Sequence, residues 1–180
     1  AMTADMRSRA ASVHQRGKTG ELKAVVMPPP EKPDFEMGGG GLNSTAPDYL
    51  RFVRAILNGG TLDGRRVLKP ETVALMSRNH MGALRVTPMR STMPNVSLDA
   101  EFFPGVPKSW GLTFQINEET APTGRSAGSL SWAGLGNTYY WIDPVKGVGG
   151  VLATQILPFA DSKALPLLYA FESEIYKALE

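Results

Sequence analysis

GSLSWAGLGNTYYWIDPVKGVGGVLATQ, residues 128–155, is the stretch on which the fold turns. Positions 129–132 and 139–143 are rich in Ser, Trp, Tyr and Ile, a mixture that suits a pleated, half-buried surface. Pro144-Val145-Lys146-Gly147 has turn composition and leads into a small and apolar run, 148–156. Connections this short join antiparallel neighbours. The stretch reads as sequential antiparallel strands.

Upstream, Trp110, Leu112, Phe114 and Ile116 alternate with small or polar residues, the pattern of one further strand covered on one face. Ser44-Thr45 before Ala46-Pro47-Asp48 supplies an N-cap, a first-turn proline and a first-turn acid, and Leu50, Val53, Ile56 and Leu57 then recur at helical spacing. Gly59-Gly60 ends that helix. Residues 61–68 turn at Asp63-Gly64, and Lys69-Pro70-Glu71 opens a second helix whose inner face would hold Val73, Met76 and Leu75. A long irregular loop, 79–107, follows. Near the start, residues 11–26 hold two short segments around Arg16-Gly17-Lys18-Thr19-Gly20, the composition of a hairpin or extended arm. MPPPEKP (27–33) and the glycine run 38–41 read as irregular connections. Leu165, Leu168, Phe171, Ile175 and Leu179 mark a terminal helix capped by Asp161 or Ser162. The expected class is α+β: two helices, a three- or four-stranded meander and a terminal helix covering one face of an antiparallel sheet.

Composition narrows the function. A chain of 180 residues with 42% hydrophobic content can bury one domain core. Lys and Arg number 19 against 17 Asp and Glu, for a net charge of +2, and no window strings together five basic residues. No nucleic-acid or membrane partner is expected. Cysteine is absent, which removes disulfides, thiolate metal sites and cysteine nucleophiles from consideration.

Gly124-Arg125-Ser126-Ala127-Gly128 matches the Gly-x-Ser-x-Gly pentapeptide, whose serine needs a strained turn between a strand and a helix. Here loop composition precedes Ser126 and strand composition follows it. His14 and His80, the two histidines, both lie before Ser126, whereas that fold places its histidine last. The match is read as a decoy, and both histidines as surface or loop residues. The glycine run 38–41 lacks the closing Lys-Ser/Thr pair of a phosphate loop; positive backbone angles or a close approach explain it better. No metal is expected, and Met76, Met81, Met89 and Met93 read as core and gap filler. Trp132-Ala133-Gly134 is different, because it lies in a strand segment with Gly134 and Gly136, where glycine marks close approach of a ligand or of another backbone. The plain alternative is a buried tryptophan beside a bulge.

Taken in order, MGGGGLNSTAPDYLRFVRAILNGG (37–60), TLDGRRVLKPETVALMSRNHMG (61–82), SWGLTFQI (109–116) and the 128–155 stretch resemble the C-terminal half of esterases related to class C β-lactamases, the family VIII carboxylesterase type. The resemblance implies that residues 1–180 are the C-terminal portion of a β-lactamase/transpeptidase-like domain. It further implies a serine nucleophile with a lysine in Ser-x-x-Lys, a tyrosine in a Tyr-x-Asn type motif, and a Lys-Thr-Gly type strand along the cleft. That strand maps to Trp132, Ala133 and Gly134 as substrate-binding residues, with the backbone N–H of Leu135 as the implied oxyanion donor. Trp132 in place of lysine removes a cation that would attract a β-lactam carboxylate, so short-chain carboxylic esters are the implied substrates. No cofactor is implied. None of the twelve serines has lysine three places on, and none of the five tyrosines has asparagine two places on. Nucleophile, base and tyrosine are therefore expected from a missing N-terminal segment of the same protein, without which the chain would be inactive and prone to oligomerise. The competing expectation is a non-catalytic binding or structural domain derived from that family. If Ser126 is a decoy, fluorophosphonate treatment followed by peptide mapping will find no stoichiometric adduct on Ser126, and such an adduct would overturn the assignment.

Overall fold

The computed structural model describes residues 2–27, 35 and 37–180, so of the 27–33 stretch only Met27 lies within the described residues. In chain order its elements are α1 (Ala4–Ser8), β1 (Val13–Arg16), β2 (Leu22–Val25), α2 (Ala46–Leu57), β3 (Thr61–Leu62), β4 (Arg65–Arg66), α3 (Pro70–Met76), β5 (Lys108–Trp110), β6 (Gln115–Asn117), β7 (Leu130–Gly134), β8 (Thr138–Asp143), β9 (Val148–Leu152), β10 (Ile156–Leu157) and α4 (Ala164–Lys177). The class is α+β, as expected. Strands β5 to β9 form an antiparallel meander in sequence order, while β10, β1 and β2 form a second sheet in which β1 runs parallel to β10.

The local signals explain several boundaries. Thr45 caps α2, its side chain accepting from the Asp48 N–H at 3.3 Å. Asp63 (φ 48°) and Gly64 (φ 76°) provide the two positive angles of the β3–β4 hairpin turn. Asp161 Oδ1 accepts from the N–H groups of Lys163 and Ala164, at 3.0 Å each, and so caps α4. The 11–26 segment is a hairpin, with His14 on β1 rather than on a surface loop. The glycine run 38–41 is a turn without positive φ; a Cβ on Gly41 would stand 2.7 Å from the Met37 carbonyl, so close approach is the operative constraint there.

Four expectations need correction. First, the meander is covered on both faces. Tyr140 and Ile142 of β8 pack with Val53 and Ile56 of α2, while Tyr139 and Trp141 pack with Leu168 and Tyr176 of α4. Full burial of a side chain such as Val53 or Ile56 contributes about 1.5–3 kcal/mol. Second, 110–116 is a hairpin and not one strand. Gly111 abuts the Met76 carbonyl so closely that a Cβ would lie 2.0 Å from it, the Leu112 N–H donates to that same carbonyl at 3.0 Å, and Thr113 takes φ 135°. Leu112 is left 43% exposed. Third, the segment 148–156 breaks after Leu152, and Ile156 joins the other sheet beside His14. Fourth, the buried stripe of α4 is Ala164, Leu168, Glu172 and Tyr176, one step round the helix from the leucine-rich stripe; Phe171 and Leu179 are exposed. Leu75 of α3 and Met93 are exposed as well.

Glu172 sits on that stripe because a cation meets it. Arg125 donates from Nε at 2.8 Å and from the guanidinium Nη2 at 2.5 Å, Thr123 adds its hydroxyl, and the guanidinium lies 5.0 Å from the Phe103 ring centre. Both charges are essentially inaccessible, with side-chain exposures of 4% and 0%. A bidentate geometry with a third donor offsets the cost of taking two charges out of water, whereas one charge left alone cannot be offset. Arg125→Met should therefore lower the unfolding free energy by about 3–5 kcal/mol, and the double variant Arg125→Met/Glu172→Leu should recover most of it. Urea titration measures both; a double variant no more stable than the single one would refute the argument.

Candidate functional site

The candidate residues gather at the tip of the β7–β8 hairpin. Strand β7 lies mid-sheet, yet β6 pairs with it only at Gln115↔Ser131 and Ile116↔Leu130, while β8 accompanies it as far as Gly134↔Thr138. Beyond Ser131, the β6 side of β7 has no neighbouring strand among the described residues. Main-chain groups alternate in direction along a strand, and the Ser129 carbonyl accepts from Asn117 on the β6 side, so Ala133 presents its N–H and C=O to that open flank. Leu135 follows in the loop, half exposed at 50%, and its N–H makes no hydrogen bond among the described residues.

The loop is three residues long. Asn137 at φ 59° closes it, donating its N–H to the Gly134 carbonyl at 3.0 Å, a hairpin form in which the third residue takes the left-handed region. A Cβ added to Gly134 would meet nothing nearer than Thr138 at 3.8 Å. Gly136 is the opposite case: its Cβ would lie 3.3 Å from both the Gln155 side chain and the Thr154 carbonyl, and its own carbonyl accepts from the Ile156 N–H at 3.1 Å and the Thr154 hydroxyl at 2.7 Å. Gly136 belongs to this loop and not to β7. Trp132 is partly buried, its ring 4.5 Å from Trp110 and 6.2 Å from Phe102 in edge-to-face contacts. Behind it lies a void of about 10 Å³, room for no more than one water. A larger hollow of about 380 Å³ between α1 and the β1–β2 hairpin is lined by none of the four candidate residues.

The structure brings Trp132, Ala133, Gly134 and Leu135 together and leaves the other candidates elsewhere. After Ser126 the chain turns at Ala127-Gly128 and enters β7, with no helix, so the nucleophile elbow is absent. The Ser126 N–H donates to Asp143 Oδ2 at 2.9 Å, and the Tyr176 hydroxyl donates to the same oxygen at 2.9 Å. Burial raises the pKa of Asp143, but the amides of Lys146 and Ser126, the Ser126 hydroxyl and Tyr176 outweigh it and hold the carboxyl below its ordinary value. The imidazoles bond to backbone, His14 Nδ1 to the Ser12 carbonyl at 3.1 Å and His80 Nε2 to the Leu75 carbonyl at 2.8 Å. Lys18-Thr19-Gly20 spells the strand tripeptide of the resembled family, yet it forms the exposed turn between β1 and β2 and lies in no strand. Among the described residues no three His, Cys, Asp or Glu side chains cluster closely enough to hold a metal ion. Asn137 is the residue that sequence reasoning missed; a Gly-Asn pair between two strand segments was the available signal.

The fold and this tip can now be set beside known proteins. A family model described as Beta-lactamase matches residues 3–172. The chain belongs to the beta-lactamase family. Protein Rv1367c of Mycobacterium tuberculosis (strain ATCC 25618 / H37Rv) is 38% identical over 152 residues, covering 79% of this chain and 35% of the relative. Acyltransferase calJ of Penicillium decumbens is 25% identical over 155 residues, covering 81% and 35%. Among solved structures, the LovD9 mutant of simvastatin synthase from Aspergillus terreus superposes with a TM-score of 0.72 at 25% identity, covering 97% of this chain and 43% of that one. The chain thus spans 35% of the length of these curated relatives.

The two loop glycines give a direct test of this geometry. Gly134→Val should leave the unfolding midpoint in urea nearly unchanged, since the new Cβ meets only Thr138, at an ordinary contact distance of 3.8 Å. Gly136→Val should cost roughly 1–3 kcal/mol through overpacking against Gln155 and Thr154. Equal effects on the two would show that the flank beside Gly134 is filled.

Proposed function

We propose that the whole protein is a serine hydrolase acting on short-chain carboxylic esters, and that this chain supplies one wall of its cleft. The observation that carries the reading is the open flank at Ala133, Gly134 and Leu135, where a strand end offers an unbonded amide beside a glycine that only Thr138 approaches. On this reading residues 1–180 are the C-terminal portion of the domain, and a Ser-x-x-Lys serine with its lysine and a tyrosine comes from a segment outside these positions.

The chemistry would run through two acyl transfers. The serine hydroxyl, its proton taken by the lysine or tyrosine, attacks the ester carbonyl, and the carbonyl oxygen becomes an oxyanion. The Leu135 N–H and the serine's own N–H would donate to that oxygen, a stabilisation that grows as charge develops. The alkoxide leaves with a proton, the acyl-serine remains, and water attacks it by the reverse proton path to release the acid. No cofactor enters the scheme. Trp132 in the place of the family's strand lysine presents an apolar ring where a β-lactam carboxylate would seek a cation, which supports a family VIII esterase type with weak or no β-lactam hydrolysis. Ala133 and Gly134 keep the wall low enough for an acyl group.

Acyl transfer to an alcohol in place of water is a second reading, favoured by the likeness to acyltransferase calJ and to simvastatin synthase. A non-catalytic binding domain is the competing class.

Assays of p-nitrophenyl butyrate, with and without an added alcohol, separate these. The 180-residue chain alone should show no turnover above buffer, the whole protein with its Ser-x-x-Lys segment should turn over, and Gly134→Val in the whole protein should lose at least about 100-fold in kcat. An ester of the added alcohol among the products would establish transfer. Turnover by the 180-residue chain alone would refute the shared-cleft reading, and an inactive whole protein would favour the binding domain.

A further inference from the structure

We propose that Asn137 is a positioning residue that aims the Leu135 amide, an inference resting on the oxyanion reading above. Its side chain is fully inaccessible and uses its whole hydrogen-bonding capacity. Nδ2 donates to the Ile156 carbonyl at 2.7 Å and to the Pro158 carbonyl at 2.8 Å, while Oδ1 accepts from the Tyr139 hydroxyl at 2.5 Å and from the Asp161 N–H at 3.0 Å. One side chain, two positions from Leu135, thereby ties the hairpin tip to β8, to β10 and to the segment that caps α4.

The anchorage continues outward. Asp161 receives Arg16 of β1 through Nε at 2.5 Å and Nη2 at 3.1 Å, in addition to its two capping amides. The tip is therefore referenced to both sheets and to α4. Leu135 is half exposed with an unbonded N–H, so the direction of that N–H is inherited from its neighbours: Gly134, whose carbonyl accepts from the Asn137 N–H, and Gly136, whose carbonyl is held by Ile156 and Thr154.

An oxyanion donor must meet the developing charge at about 2.7–3.1 Å. A displacement of about 1 Å costs on the order of 100-fold in rate. Because the interaction forms only in the transition state, loosening the tip should lower kcat and leave KM nearly alone. A residue that merely stabilises the fold would not produce that split.

Two substitutions isolate the side chain in the whole protein. Asn137→Gly keeps the positive φ and removes the amide, and Asn137→Asp keeps the shape but sets an acceptor oxygen against two carbonyls. Expected are a fall of at least about 10-fold in kcat for p-nitrophenyl butyrate, KM within about 3-fold, and faster amide deuterium uptake in peptides covering 133–138. Tyr139→Phe, which removes a single donor to Oδ1, is the milder change should the first two fail to fold, and it should lower kcat in the same direction at a Tm reduced no more than that of the control below. Thr123→Ala, which loses a buried bond to Glu172 and shares no hydrogen bond with Asn137, is the control: it should lower Tm without altering kcat. Unchanged kcat in the folded Asn137 or Tyr139 variants, or unchanged deuterium uptake at the tip, would overturn the proposal. If the whole wild-type protein turned over no ester while uptake at 133–138 still rose in the variants, tip positioning would stand and the esterase reading alone would fall.

Discussion

The contact between Arg125 and Glu172 organises one whole face of the molecule. The guanidinium lies in a slot between the Phe103 and Trp141 rings, at 5.0 and 6.0 Å from their centres, with the carboxylate of α4 before it. That arrangement fixes three things together: the irregular segment 118–128, the rotation of α4 about its axis, and the side of β8 that carries Trp141. Tyr176, one turn beyond Glu172, then reaches Asp143 at the end of β8, and Asp143 receives the Ser126 N–H. The pentapeptide around Ser126 is thus a structural tie between a helix and a strand, and its serine is spoken for by the backbone it belongs to.

Much of the fold was legible, and the failures share a cause. The α2 cap, the Asp63-Gly64 turn and the 128–152 strands announce themselves because local chemistry decides them: a hydroxyl for an orphan N–H, two positive angles, a turn after Pro144. The stripe of α4 was misread because a glutamate looks solvent-facing until its arginine is found 47 positions earlier. The meander was expected to have a bare face because Tyr139 and Trp141 gave no sign of which partner would cover them. In the 110–116 segment alternation predicted one strand, but the carbonyl of Met76, far off in sequence, presses on Gly111 and folds the chain back. Tertiary contact overrode period in each case.

The candidate tip shows the same division. Trp132, Ala133, Gly134 and Leu135 could be picked out through resemblance and the placement of glycines, and they lie at the end of β7 and in the loop that follows it. For Asn137 the Gly136-Asn137 pair signals a turn and no more, since nothing local distinguishes an asparagine that ends a loop in water from one whose amide is satisfied by residues 139, 156, 158 and 161. The tip combines a fully bonded asparagine with a nearly unbonded leucine two residues away. On the oxyanion reading proposed above, rigidity on one side and open space on the other would hold the donor still for an incoming carbonyl.

The parallel pairing of β1 with β10 carries a consequence for how the chain acquires its shape. His14 and Ile156 come from distant parts of the sequence, whereas the strands of the β5–β9 meander pair in sequence order, with 118–129 as their longest connection. Closing a loop that long is entropically slow, and local hairpins form well before it. As a ribosome releases the chain, the meander can assemble while the β1–β2 hairpin waits, its partner strand β10 emerging only after β9. During that interval the inner edge of β1 is an unpaired template, and it stays so until β10 arrives beside it.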